Sequence, residues 1–177
     1  MSSAKQNWFQ WFELEPAFQL DIDALRGRYL ELQRQLHPDQ AASRGESAAA
    51  AVRANSQLND AWDTLCNPVR RAIYLLQLAG HNYDPDRQTQ QDMGYLVEQM
   101  NLREQLAVLS AAQEDAQEQL DSLRERAESE LEQYGQQFEQ AWKNFDYESA
   151  GLFIGRMMFA QKLERDVNDR EEELFDL

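Results

Sequence analysis

In one segment after another of this chain, apolar residues recur three and four positions apart, and the four prolines stand where those patterns stop. That spacing is one face of an α-helix, and proline ends helices because it has no N–H and pushes the residue before it out of helical geometry. Ala, Gln, Glu, Leu and Arg abound while β-branched residues are scarce, which leaves little to build a sheet from. The pattern predicts an all-α fold, and 177 residues are enough for one ordinary domain or two small ones with a buried core.

Trp8, Phe9, Trp11 and Phe12 crowd onto a short helix that Pro16 should end. Asp21 is placed to cap a second helix, about 22 to 36, on which Ile22, Leu25, Tyr29, Leu32 and Leu36 mark one apolar stripe. Arg26 borders that stripe, Arg28 sits to one side and Arg34 faces largely away; ordinary solvated helix charge is one reading of them. "SAAAAVRANSQLNDAWDTLCNP" is Ala-rich, with Val52, Leu58, Trp62 and Leu65 as larger packing residues, and Pro68 closes it. This third helix should lie antiparallel to the second. "VRRAIYLLQLAG" adds a short apolar segment, and "GHNYDPDRQTQQDMG" has the Gly, Asn, Asp and Pro of a connector. The expected organisation is therefore an N-terminal domain over 1–80, a connector over 81–92 and a C-terminal domain over 93–177. Long patterns at about 93–110, 113–142 and 147–174 close most simply as three antiparallel helices. The apolar positions of the middle one are too irregular for sustained heptads, so a bundle is expected rather than a free coiled coil.

The formal net charge of −15 is concentrated in the second half. Residues 1–80 carry 8 Lys and Arg against 9 Asp and Glu, whereas residues 81–177 carry 9 against 23. So acidic a half repels phosphate backbones, and nucleic acid is not an expected partner. No run of about 18 apolar residues is present, and "MSSAKQNWFQWF" lacks the pattern of an export leader, so the expectation is a cytoplasmic protein without a membrane partner.

The chain has one cysteine, Cys66, and two histidines, His37 and His81, in separate segments. No zinc or di-iron ligand spacing, no phosphate-cradling Gly-rich loop and no nucleophile elbow is present, so neither a metal, a cofactor nor an enzymatic activity is expected. What remains is "LQRQLHPDQ", in which His37, Pro38 and Asp39 interrupt a helical pattern. Such a tripeptide can be a plain turn, a base and its orienting acid, or a docking point. By composition it arises in on the order of one chain in a hundred of this size, so its position between two patterned helices is what gives it weight.

"YLELQRQLHPD" between two such helices resembles a J domain, the module that engages seventy-kilodalton heat-shock-class ATPases. "FQLDIDAL", "LNDAWDTLCNPVRRAIYLL" and "YLVEQMNLREQL" resemble, more narrowly, the bacterial HscB-type co-chaperones of iron–sulfur cluster assembly, and the likeness covers nearly the whole chain. The resemblance implies that 1–80 is a J domain that binds an HscA-type ATPase chaperone and stimulates its ATP hydrolysis. It also implies that the C-terminal bundle presents an IscU-type scaffold protein as client. His37, Pro38 and Asp39 would form the chaperone-binding loop, with Arg28 and Arg34 adding charge. Gln40 stands where the family commonly has a basic residue, which removes one favourable charge. The alternatives are a J-domain co-chaperone for a different client and a helical adaptor outside the chaperone system. A monomer is the expected state.

The client surface has support from spacing alone. On a helix through 93–109, Tyr95, Leu102, Leu106 and Leu109 fall on one face, while Met93, Leu96 and Met100 lie roughly opposite with Val97 beside them. A helix at the edge of a three-helix bundle needs one apolar side for its core. The second is either an interface or packs against another part of the chain. The resemblance carries the scaffold-binding patch onto Leu96, Val97, Met100, Asn101, Glu104 and Phe159, with Asn101 where an acidic residue is often found.

Overall fold

The computed structural model describes residues 7–37, 47–85 and 93–175. Among them the regular structure is helical throughout: α1 Trp8–Trp11, α2 Ile22–Gln35, α3 Ala48–Cys66, α4 Pro68–Leu78, α5 Met93–Ala107, α6 Ala116–Lys143 and α7 Tyr147–Phe175. The chain divides into two compact units, Met1–Leu78 and Ala79–Leu177.

In the first unit each helix start is written into a polar side chain. Asn7 and Gln10 form a reciprocal capping box on α1, the Asp21 carboxylate accepts from the Ala24 N–H at 2.9 Å, and the Ser47 hydroxyl accepts from Ala50 at 3.2 Å. Asn67, extended because Pro68 follows, ends α3 and caps α4, whose first residue is that proline. The end of α1 departs from expectation. Pro16 does not terminate it; the helix stops at Trp11, because Glu13 turns into the left-handed region at φ 58° and the Leu14 N–H returns to the Phe9 carbonyl at 3.0 Å. Glycine usually fills that position, and a residue with a Cβ costs about 1–2 kcal/mol more there.

Phe9, Phe12, Phe18, Leu25, Leu58, Leu65 and Leu75 fill the core of this unit. The predicted stripe of α2 is only partly inside. Leu25 is buried, Tyr29, Leu32 and Leu36 are half-buried, and Ile22 is exposed. α2 meets α3 where Tyr29 stacks on Trp62 at 4.8 Å and its hydroxyl donates to Asn59 at 3.0 Å. Arg71 is buried without a carboxylate against it among the ion pairs of the described residues. Its guanidinium donates to the Leu65 carbonyl and lies 5.2 Å over the Phe18 ring, and burial lowers its pKa to about 10. Leu58 is fully buried, so Leu58→Ala should cost about 2–5 kcal/mol by chemical denaturation, with the helix content of the second unit retained.

The second unit is a three-helix bundle built on the α6–α7 hairpin. The turn between them is three residues, with Phe145 at φ 59° and the Asp146 N–H returning to the Ala141 carbonyl at 2.9 Å. Asp146 then accepts from the Ser149 N–H at 3.1 Å, and these bonds with Ser149 hold its carboxyl below the usual range. Small residues, among them Ala127, Gly135, Ala141, Ala150, Gly151 and Gly155, are buried along α6 and α7. Leu102, Leu106 and Leu109 pack from the α5 side onto Leu120, Ala127, Leu163 and Val167. The expected helices at 93–110, 113–142 and 147–174 are all present. α5 ends three residues early, at Ala107: the Val108 N–H still donates to the Glu104 carbonyl four back at 3.3 Å, but the Leu109 N–H tightens onto Leu106 three back at 3.3 Å.

Candidate docking surfaces

The residues expected to meet a partner lie in two parts of the molecule, one on each unit. On the first, α2 ends at Gln35 with Leu36 as its cap, and His37 follows as an exposed residue whose N–H donates to the Arg34 carbonyl at 3.3 Å. Pro38 and Asp39, and Gln40 after them, lie outside the described residues. Of the two arginines expected to add charge, Arg34 is exposed. Arg28 is held by acids of its own unit, donating through Nη1 to Glu31 at 2.7 Å and through Nη2 to Glu13 at 2.5 Å. The bond to Glu31 and the charge of Glu13 raise its pKa above the ordinary arginine value. Arg26, Leu30 and Arg34 sit four apart on α2, and all three are exposed.

On the second unit, α5 has two chemically different sides. The inner side buries Tyr95, Gln99, Leu102 and Leu106. Gln99, only 1% exposed, was not singled out by spacing because an amide reads as an outward residue. Its side chain donates to Glu130 at 3.3 Å, the same oxygen that accepts from the Tyr95 hydroxyl at 2.9 Å. Arg126 donates to the other Glu130 oxygen at 2.8 Å and to Glu98 at 2.5 Å. These bonds tie α5 to α6, and Arg103 ties it to α7 through Asp166 at 3.2 Å. Burial, together with the Glu130 charge, pushes the Tyr95 phenol far above its ordinary pKa, so it stays a donor.

The outer side carries Met93, Val97 and Met100, which are 58%, 53% and 59% exposed. Asn101 and Glu104 are also exposed, and Leu96 is half-buried. Residues 93, 97 and 101, and 96, 100 and 104, step by four, so these six side chains share one helical face. Phe159 comes from α7. It is half-buried, edge-on to Tyr95 at 5.9 Å and beneath the Arg103 guanidinium at 5.7 Å. It therefore borders α5 at its inner edge, while Met93, which the resemblance did not select, is as open as Met100.

A rigid helix with an uncovered strip of Met and Val suits recognition of an apolar partner surface. Methionine adapts its shape, and a pinned backbone leaves little to be ordered on binding. Among the described residues no group of three or more His, Cys, Asp or Glu side chains is placed to hold a metal ion, and burial raises the Cys66 thiol away from its thiolate form. None of the described helices is long and apolar enough to cross a membrane.

Residues 91–168 match the family model described as the HSCB C-terminal oligomerisation domain. Among solved structures, the chain is similar to the chaperone HscB from Vibrio cholerae, with a TM-score of 0.83 and 31% identity over 96% of this chain and 100% of that one. The human co-chaperone HscB shares the fold at a TM-score of 0.80 and 24% identity, over 97% of this chain and 85% of its own. The Jac1 co-chaperone from Saccharomyces cerevisiae does so at 0.71 and 21%, over 94% of each.

Proposed function

The chain belongs to the HscB family of co-chaperones, and from that premise we propose that it delivers an IscU-type iron–sulfur scaffold protein to an HscA-type ATPase chaperone and stimulates that chaperone's ATP hydrolysis. It works in the cytoplasm and assists cluster assembly and transfer without breaking a bond itself. The first unit acts as the J domain. His37, Pro38 and Asp39 reach the chaperone, and Arg28 and Arg34 on α2 add positive charge beside them. The scaffold binds Leu96, Val97, Met100, Asn101, Glu104 and Phe159.

The observation that carries this reading is the outer side of α5: three exposed apolar side chains on a helix whose inner side is pinned at Tyr95, Gln99 and Arg103. Such a face presents its residues in fixed register, so binding loses little conformational entropy. Glu104 at its rim steers and orients rather than adding much affinity. One chain holding both partners raises the local concentration of scaffold at the chaperone. The direct test is a steady-state assay with the chaperone in excess. Sub-stoichiometric amounts of the chain should accelerate ATP turnover, since each molecule serves many chaperones in turn. A rate that stays at the basal level at every ratio would overturn the proposal.

A further inference from the structure

Glu13 occupies a position made for glycine, the left-handed residue that closes α1 at φ 58°. From there its carboxylate meets the Arg28 guanidinium at 2.5 Å, while Glu31 holds the other nitrogen at 2.7 Å. Arg28 is one of the cations assigned to the proposed chaperone surface, yet both of its terminal nitrogens are engaged within the unit. The two acids differ in kind. Glu31 lies one turn along the same helix, whereas Glu13 reaches Arg28 from a turn fifteen residues away in the sequence. The Glu13 side chain is 75% exposed against 29% for Arg28, so the pair is open to water and adds little to folding.

We propose that Glu13 is an internal competitor for the chaperone: it occupies Arg28 until a carboxylate of the chaperone displaces it, and so sets how tightly the J domain docks. The proposal rests on the reading of Arg28 as a chaperone contact. An incoming carboxylate exchanges one charge-assisted pair for another, and the displaced Glu13 returns to water. Strained backbone at an exposed acidic residue, with its charge spent on a docking cation, is a combination that stability alone does not call for.

Three variants test this with the full chain and the ATP-bound chaperone. Glu13→Gln removes the charge and keeps the strained backbone, Glu13→Gly removes both, and Arg28→Gln removes the contested cation. At low ionic strength Glu13→Gln and Glu13→Gly should each tighten binding by about two- to fivefold, with the gain shrinking as salt rises. In the Arg28→Gln background Glu13→Gln should change nothing. Unchanged or weaker binding for Glu13→Gln overturns the proposal. So does the same gain in the Arg28→Gln background, which would be a general charge effect, or a gain confined to Glu13→Gly, which would be backbone relief. Asp39→Ala run alongside separates the two levels. If it binds and stimulates normally, the chaperone reading itself has failed; if it loses stimulation while Glu13→Gln is neutral, only the competitor has failed.

Discussion

Asp39→Ala is expected to return the chaperone's ATPase to its basal rate while leaving the fold of this chain intact. α2 ends at Gln35 with Leu36 as its cap and His37 exposed, and in the sequence Pro38, whose ring restricts φ, and Asp39 follow. In the proposed function the Asp39 carboxylate makes a charge-assisted pair with a cation on the chaperone, and the proline before it lowers the cost of ordering the segment on docking. Truncating one member leaves the other charged and unpaired at a protein interface, a loss of about 2 kcal/mol or more, or roughly thirtyfold in the coupling of binding to hydrolysis. Thermal unfolding of the variant should match the parent within about 0.5 kcal/mol. Stimulation that survives this substitution would remove the loop from the mechanism.

Met100→Lys carries the second large effect, on the other partner. Met100 is 59% exposed in the free chain, so an ammonium on a flexible stem is accommodated there without cost to the bundle. Covered by an apolar scaffold surface, the same ammonium must be desolvated, with only the rim carboxylate of Glu104 one turn along to meet it. That costs about 3 kcal/mol, near a hundredfold in scaffold affinity. Val97→Lys, one turn earlier on the same face, should behave alike. Val52→Lys, an equally exposed apolar position on α3, should leave scaffold affinity unchanged and shows whether added positive charge matters in itself. Chaperone stimulation in the absence of scaffold should be unaffected by all three. A Met100→Lys chain that binds scaffold as tightly as its parent would place the client elsewhere on the molecule.

The helices were legible because their information is local. Asp21, Ser47 and Pro68 act within one turn of where they stand, and the spacing of Tyr95, Leu102, Leu106 and Leu109 separates the inner side of α5 from the outer without reference to a partner helix. The same spacing showed that α5 has an apolar strip its own core does not use, and the structure leaves Met93, Val97 and Met100 exposed there. What escaped depends on residues distant in sequence. Gln99 is buried because Glu130, 31 positions on, accepts its amide, and no periodicity in α5 announces that. Arg71 lies inside because the Leu65 carbonyl and the Phe18 ring receive it. Pro16 looked like the end of α1, but a left-handed Glu13 came first, and its ion pair with Arg28 exists only once the turn has folded back onto α2. Of the residues expected to dock, Arg34, Val97, Met100, Asn101 and Glu104 are exposed on their helices, as spacing alone suggests, whereas the pairing of Arg28 with Glu13 could not be read from spacing.

The claim that one chain joins two partners is tested most directly by measuring how scaffold concentration governs the chaperone's ATPase with and without this protein. With the protein present, the scaffold concentration for half-maximal stimulation should fall by at least about tenfold, and Met100→Lys should erase that fall while keeping the stimulation seen without scaffold. The same half-maximal concentration in both series would contradict the account.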